Sequence, residues 1–371
     1  MTNYKHLLLA APLIVLAACN SSSGNNSNSN SNRKGTIQDK PLANYNFNDT
    51  DLANVLAERR PLLDSVSVSF DGTTYNRVRY AEDLGEERLI IHLQNSSDKG
   101  LDLFVTTDEN SDCAIYREGE LYDFFACGDS TQSESGKKTL IQSVTNKVKK
   151  SIEVEFNNEL IGDLSSIGST ILTATDNSIG VDIDTSFAFT GFYKDVFGIT
   201  SADERIHSTL GVSTYLELAS IVQKYPGQKM VIKFNNNIGG SADDDINMYT
   251  GMMIHNQAMK TVVTPKGSVF SGGTDLFAAG QSRVLQRSKD VDNIETNKQI
   301  GVHSWSNGNQ SAKQIPYTDA SHRKQATYFK TMLGDKGVDF YLFTLDAAPV
   351  EGEHWITKAE SDKFKFITSI E

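Results

Sequence analysis

Residues 267–280 read Gly-Ser-Val-Phe-Ser-Gly-Gly-Thr-Asp-Leu-Phe-Ala-Ala-Gly. Ser271 stands among small residues and is followed at once by an amphipathic run, a pattern that presents a hydroxyl at the start of a helix. There the unbonded backbone N–H groups and the positive end of the helix dipole favour an oxyanion. The same placement also suits a plain N-cap, for which serine is among the best residues. A serine hydroxyl is a weak nucleophile at neutral pH and needs an adjacent base, a task matched to neutral imidazole. His303 follows the apolar, strand-like Ile300-Gly301-Val302, whereas His207, His255, His322 and His354 follow no such segment. A lone histidine on an apolar strand is ordinarily a satisfied core residue; with Ser271 upstream, the ordered pair outlines acyl-transfer chemistry.

The elements that must position this pair alternate between strand and helix. Ser186-Phe187-Ala188-Phe189-Thr190-Gly191 reads as a strand, and 214–225 has helical periodicity that Pro226-Gly227 stops. Lys229-Met230-Val231-Ile232-Lys233-Phe234 is a strand running into Asn235-Asn236-Asn237-Ile238-Gly239-Gly240-Ser241. Residues 243–259 form a second helix with Ile246, Tyr249 and Met253 inward, and Thr261-Val262-Val263-Thr264 leads into the serine stretch. After His303 an amphipathic helix covers about 317–333, and Phe340-Tyr341-Leu342-Phe343 reads as a strand. Both serve the core first and contact between copies of the chain second. Trp305 either walls the pocket or packs. Alternation on this scale predicts an α/β layered domain with parallel pairing over 185–371.

Residues 45–184 read instead as a β-rich domain, on alternating runs such as Val66-Ser67-Val68-Ser69-Phe70 and Leu89-Ile90-Ile91-His92-Leu93. No chemical constellation stands out there, and His92 reads as a solvated or half-buried strand residue. Such a domain would recognise something, shield the site or space it from a membrane.

The N-terminus points to export. Lys5 precedes an apolar run over 7–16, and Leu16-Ala17-Ala18-Cys19 supplies small residues before a cysteine. This resembles the lipobox of bacterial lipoproteins, with 1–18 as signal peptide and Cys19 as the acylated residue. Several acyl chains there give a stable anchor. Asn20 after the cysteine suggests outer-membrane sorting, facing the periplasm. Residues 20–40 are Ser, Asn and Gly with almost no apolar side chain, so 19–44 is a flexible tether. In an oxidising compartment the remaining Cys113 and Cys127 are expected to form a disulfide, closing a loop worth roughly 3 kcal/mol. The net charge of −12 across 371 residues argues against a nucleic-acid groove. No CxxC or HExxH spacing points to zinc.

From 185 to 371 the chain resembles the ClpP/crotonase superfamily, specifically its serine-peptidase branch and related periplasmic proteins. Three features in order carry the likeness: the strand into Gly239-Gly240-Ser241 and a helix, the strand into Ser271-Gly272-Gly273 and a helix, and Ile300-Gly301-Val302-His303. The resemblance implies a layered β-β-α superhelix, with Ser271 as nucleophile, His303 as base, and the N–H groups of Gly240 and Gly272 as oxyanion hole. Taken alone, Gly239-Gly240 fits a plain strand-to-helix turn equally well. The family's proline before the two glycines is replaced by Ile238. Near the C-terminus Glu353 falls where the family keeps its acid, with Asp346 as runner-up and a Ser-His dyad as the third alternative, while Thr357 to Glu360 reads as a capping box. The implied activity is a serine hydrolase acting on peptide or protein substrates, touching the membrane only through its lipid, with no metal or cofactor required. The rival readings are a binding protein on the same fold, and an ester or thioester hydrolase or acyltransferase.

Overall fold

The computed structural model describes residues 39–70, 72–85, 88–106, 112–117, 120–126, 131–132, 137–146, 148–157, 160–199 and 206–371. The expected signal peptide, Cys19 and most of the expected tether lie outside the described residues, as does Cys127 and with it the expected Cys113–Cys127 pairing.

A helix α1 (Asp49–Arg59) precedes ten strands: β1 (Val66–Phe70), β2 (Thr73–Tyr75), β3 (Arg77–Gly85), β4 (Arg88–Gln94), β5 (Gly100–Thr106), β6 (Asp112–Arg117), β7 (Glu120–Ala126), β8 (Thr131–Gln132), β9 (Lys137–Asn146) and β10 (Val148–Asn157). They form two antiparallel five-stranded sheets, ordered β2-β1-β10-β9-β8 and β3-β4-β5-β6-β7. The alternation in β1, buried at Val66, Val68 and Phe70, is the period-two pattern of a half-buried strand. Those side chains and Ile91, Leu93, Leu101 and Leu103 of the second sheet close one core between the two sheets.

The remainder runs β11 (Thr170–Asn177), β12 (Gly180–Phe187), α2 (Thr190–Phe197), β13 (Ser208–Leu210), α3 (Val212–Lys224), β14 (Met230–Phe234), β15 (Asn237–Ser241), α4 (Asp244–Asn256), β16 (Lys260–Val263), β17 (Ser268–Phe270), α5 (Gly272–Ala278), β18 (Ser282–Leu285), β19 (Ile300–Val302), α6 (Ala320–Leu333), α7 (Gly337–Ala347), β20 (His354–Trp355), α8 (Lys358–Phe364) and β21 (Ser369–Ile370). One sheet has the order β11-β12-β14-β16-β18-β21 and the other β13-β15-β17-β19-β20. Successive strands therefore alternate between two sheets before a helix: β14-β15-α4, β16-β17-α5 and β18-β19-α6, and in the first repeat β12-β13-α3 with α2 inserted between the two strands. Pairing from β12 through β18, and from β13 through β19, is parallel. This is the α/β layered β-β-α superhelix, and a single core from Val181 to Phe366 fills it.

Three sequence expectations shift. The strand read over Ser186–Gly191 ends at Phe187, and Thr190 already begins α2. The domain boundary at 184/185 falls inside β12, whose pairing with β14 begins at Val181. Phe340-Tyr341-Leu342-Phe343 lies within α7 and not in a strand. Four apolar residues fit either period, and the helix extends over 11 residues around them.

The N-terminal sheets are fixed to the superhelix. Tyr80, Phe104 and Tyr116 pack with Phe187, Phe189, Phe192 and Tyr193 in one buried aromatic cluster, with the Tyr116 and Phe192 rings 4.9 Å apart edge to face. The edge strand β3 also bonds directly across, Ala81 N–H to the Gly168 carbonyl at 3.0 Å. That contact brings one face of β3 to the mouth of the superhelix.

Candidate active site

Ser271 lies at the junction of β17 and α5 with φ 51° and ψ −121°, a conformation that L-residues seldom adopt. The turn is held on both sides. Ser271 N–H donates to the Gly301 carbonyl at 3.3 Å, and the Ser271 carbonyl accepts from Thr274 and Asp275 N–H at 2.9 and 3.2 Å. A sharp strand-to-helix turn of this kind lifts a hydroxyl clear of its own backbone. Ser271 Oγ makes no capping bond to its helix, so the N-cap role is left to the backbone and the side chain is available.

Glycine surrounds this turn for steric reasons. A Cβ on Gly240, at φ 155°, would stand 3.4 Å from Ser271 Cβ and 3.7 Å from its Oγ, and 4.0 Å from Gly272 N. The Gly240 backbone thus packs against the hydroxyl and the first free amide of α5. A Cβ on Gly272 would meet Ser241 N at 2.7 Å. The sequence places Gly239-Gly240-Ser241 in a loop after a strand; they are the end of strand β15 itself.

The register of β17 on β19 pairs Phe270 with Gly301, which sets Ser271 and His303 just past the ends of neighbouring strands. Ser271, His303, Gly239 and Gly240 line one cavity of about 310 Å³, walled by Phe270 and Trp355. The Phe270 ring lies 4.8 Å from the His303 ring. Burial lowers the His303 pKa, opposed in part by the Val350 carbonyl and by the charge of Glu351, so the imidazole is neutral at pH 7.

His303 Nδ1–H donates to the backbone carbonyl of Val350 at 2.6 Å. The resemblance gave this orienting role to Glu353, with Asp346 as runner-up. Neither carboxylate bonds the imidazole, although Glu353 lines the same cavity. Glu353 is 57% exposed and ion-paired with Lys298 at 3.6 Å, and Asp346 is 74% exposed and paired with Lys313 at 2.7 Å. Lysines within reach and access to water keep these acids at the surface, where they stay solvated. Glu351 is the carboxylate whose field reaches His303.

Of the other histidines, His207 also lines the cavity, beside Gly239. His322 is buried against Tyr341 and the Ala312 carbonyl, His354 bonds Glu360 at 2.9 Å, and His92 bonds Asp102 at 2.6 Å. Trp305 donates to Tyr341 Oη at 2.9 Å and borders a separate cavity of about 550 Å³ near Asp243 and Asp244; Trp355 has the wall position instead. Among the described residues no cluster of three or more His, Cys, Asp or Glu side chains is placed to hold a metal ion, and no helix is long and apolar enough to cross a membrane.

One lining residue comes from the other domain. Glu82 of β3 is 3% exposed, its Oε2 accepting from Ser169 Oγ and, at 3.0 Å, from Thr209 Oγ1. Burial pushes its pKa up to about 8, and the two hydroxyls only partly oppose this. No local sequence signal marked Glu82, because a strand glutamate ordinarily faces water and only the docking of the two domains buries it.

No family model matches the chain, and no curated protein does. Among solved structures it is similar to enoyl-CoA hydratases. One from Geobacillus kaustophilus is 9% identical, covering 54% of this chain and 67% of that one at a TM-score of 0.33. One from Shewanella pealeana is 12% identical, covering 54% and 68% at 0.33. One from Bacillus anthracis is 12% identical, covering 54% and 69% at 0.32.

Proposed function

We propose that this chain is a serine acyl hydrolase. Ser271 Oγ attacks the acyl carbonyl as His303 Nε2 takes its proton, and the amides of Gly240 and Gly272 receive the oxyanion. His303 then protonates the leaving group, and water repeats the sequence to release the acid. The observation that carries the reading is Ser271 at φ 51° and ψ −121°, ending β17 in the cavity that His303 also lines.

The Val350 carbonyl bears on the substrate. It fixes the imidazole tautomer as a carboxylate would, but as a neutral acceptor it stabilises the imidazolium less. Activated acyl groups, esters and thioesters, need less help at the leaving group than amides do, so we favour them. A peptide substrate, implied by the family resemblance, is the second reading. Export and attachment through lipid on Cys19, to which residues 1–19 point, place the activity in the cell envelope; loss of metabolic palmitate labelling in Cys19→Ala is the test.

Fluorophosphonate labelling of the purified chain decides between hydrolase and binding protein. We expect wild type to label and Ser271→Ala not to. Equal labelling of the two, or none of wild type, overturns the proposal. Turnover of p-nitrophenyl and thioester substrates against a peptide library then separates the two acyl classes.

A further inference from the structure

We propose that Glu82 is a substrate-contacting residue of the Ser271 cavity, its Oε1–H reaching from the N-terminal sheet to donate a hydrogen bond to an oxygen of the acyl substrate. The role rests on the hydrolase reading above.

The geometry is specific about which oxygen does what. Oε2 is occupied as an acceptor, by Ser169 Oγ and by Thr209 Oγ1. Ser169 Oγ is itself positioned by an N–H bond from Thr209 at 2.9 Å. Both of those bonds fall on Oε2, and Glu82 lines the cavity. The oxygen outside those two bonds is the one open to a substrate in the cavity. The carboxyl stands on the Gly240 side of the cavity, since Thr209 pairs with Gly240 across β13 and β15, and Gly240 backs onto Ser271.

Its protonation state follows from its surroundings. The titratable groups around it are Asp83 on its own strand, Tyr193 of α2, His207 ahead of β13, His303 after β19, and Glu351 and Glu353 ahead of β20. Arg88 of β4 acts on Tyr193 beside it, no cation acts on Glu82 itself, and Asp83 adds to the effect of burial that holds the group as an acid up to about pH 8. With two hydroxyls on Oε2, the proton belongs on Oε1, which makes Glu82 a neutral donor. The N-terminal domain thereby supplies part of the site, which is incomplete without it.

The test uses the full chain, with pH profiles from 5.5 to 10 of fluorophosphonate labelling rate and of kcat/KM on a p-nitrophenyl ester, for wild type, Glu82→Gln, Glu82→Ala and Ser271→Ala. Wild type should lose activity on an alkaline limb near pH 8. In Glu82→Gln an amide N–H replaces the acid at every pH. That variant should stay within about threefold of wild type at pH 7 and lack the limb, while Glu82→Ala should fall about 10- to 100-fold. A limb that persists in Glu82→Gln, a wild-type rate that rises through pH 8, or a Glu82→Ala rate equal to wild type overturns the role of Glu82. Should Glu82→Ala not fold, the Glu82→Gln profile decides. If wild type is not labelled, or Ser271→Ala labels equally, the hydrolase reading itself falls and this role with it.

Discussion

His303 Nδ1 and the carbonyl oxygen of Val350 are 2.6 Å apart. A carbonyl accepts and cannot donate, so the neutral ring holds its proton on Nδ1 and its lone pair on Nε2, as a base must. A carboxylate in that place would leave a signature, because removing a triad acid costs about ten-thousandfold in kcat. Glu353, ion-paired at the surface with Lys298, should show none. We expect Glu353→Gln to keep kcat/KM within about threefold and His303→Gln to lose about a thousandfold or more. A loss above about a hundredfold in Glu353→Gln would restore the carboxylate to the triad.

The acid side of the pH profile follows from the same ring. Burial lowers the His303 pKa below its ordinary 6.5, so the base stays unprotonated further into acid than a solvated imidazole. Activity should rise with pH along a limb whose midpoint lies below 6.5 in kcat/KM. A midpoint at or above that value would show that the base is a more exposed group, with His207 the first to examine.

Gly240 and Gly272 should fail in different ways. A methyl on Gly272 meets the backbone nitrogen of Ser241 at 2.7 Å, which forces strand β15 from helix α5 and should cost about 1–3 kcal/mol, read as a fall in Tm. A methyl on Gly240 meets nothing closer than Ser271 Cβ at 3.4 Å, at a φ of 155° that alanine resists. Gly240→Ala should therefore lose labelling rate by about tenfold or more, beyond its loss of stability. Equal activity and stability losses in both variants would refute the placement of Gly240 at the nucleophile.

These outcomes depend on parts of the site that differ in how far the sequence reveals them. Ser271 was legible because the strained turn demands small neighbours, and His303 because three apolar residues announce the strand before it. The alternating β-β-α order was legible in the same way, from period and spacing. Val350 was not, since its contribution is a backbone carbonyl and any residue carries one. Glu82 was not, since its burial arises from Phe192 and Tyr193 docking against a sheet about a hundred residues earlier. Glu353 misled because its position in the chain matches the family's acid while its side chain found a lysine and water. A local pattern reports the backbone that it builds; it does not report which long-range neighbour a side chain will meet.

His322 tests how the interior answers to acid. Trp305 Nε1–H donates to Tyr341 Oη at 2.9 Å, Tyr341 O–H donates to His322 Nδ1 at 2.7 Å, and His322 Nε2–H donates to the Ala312 carbonyl at 2.9 Å. Nδ1 is an acceptor in this chain of bonds and has no room for a second proton, and burial holds the pKa below 6.5. The unfolded chain therefore binds a proton at higher pH than the folded one, so stability is lost as pH falls through the ordinary histidine range and levels off below the folded pKa. Glu82 has the opposite sign. Its pKa is raised from 4.5 to about 8, so its contribution is intact below the ordinary glutamate value and is lost as pH rises toward 8. The two slopes overlap near neutrality, and the difference between wild type and His322→Gln isolates one of them. That difference should shrink on going from pH 7.5 to 5.5, by up to about 1.4 kcal/mol per pH unit. A difference in unfolding free energy that is flat across this range would mean that His322 titrates alike folded and unfolded, and that the bonds to Tyr341 and Ala312 do not hold it neutral.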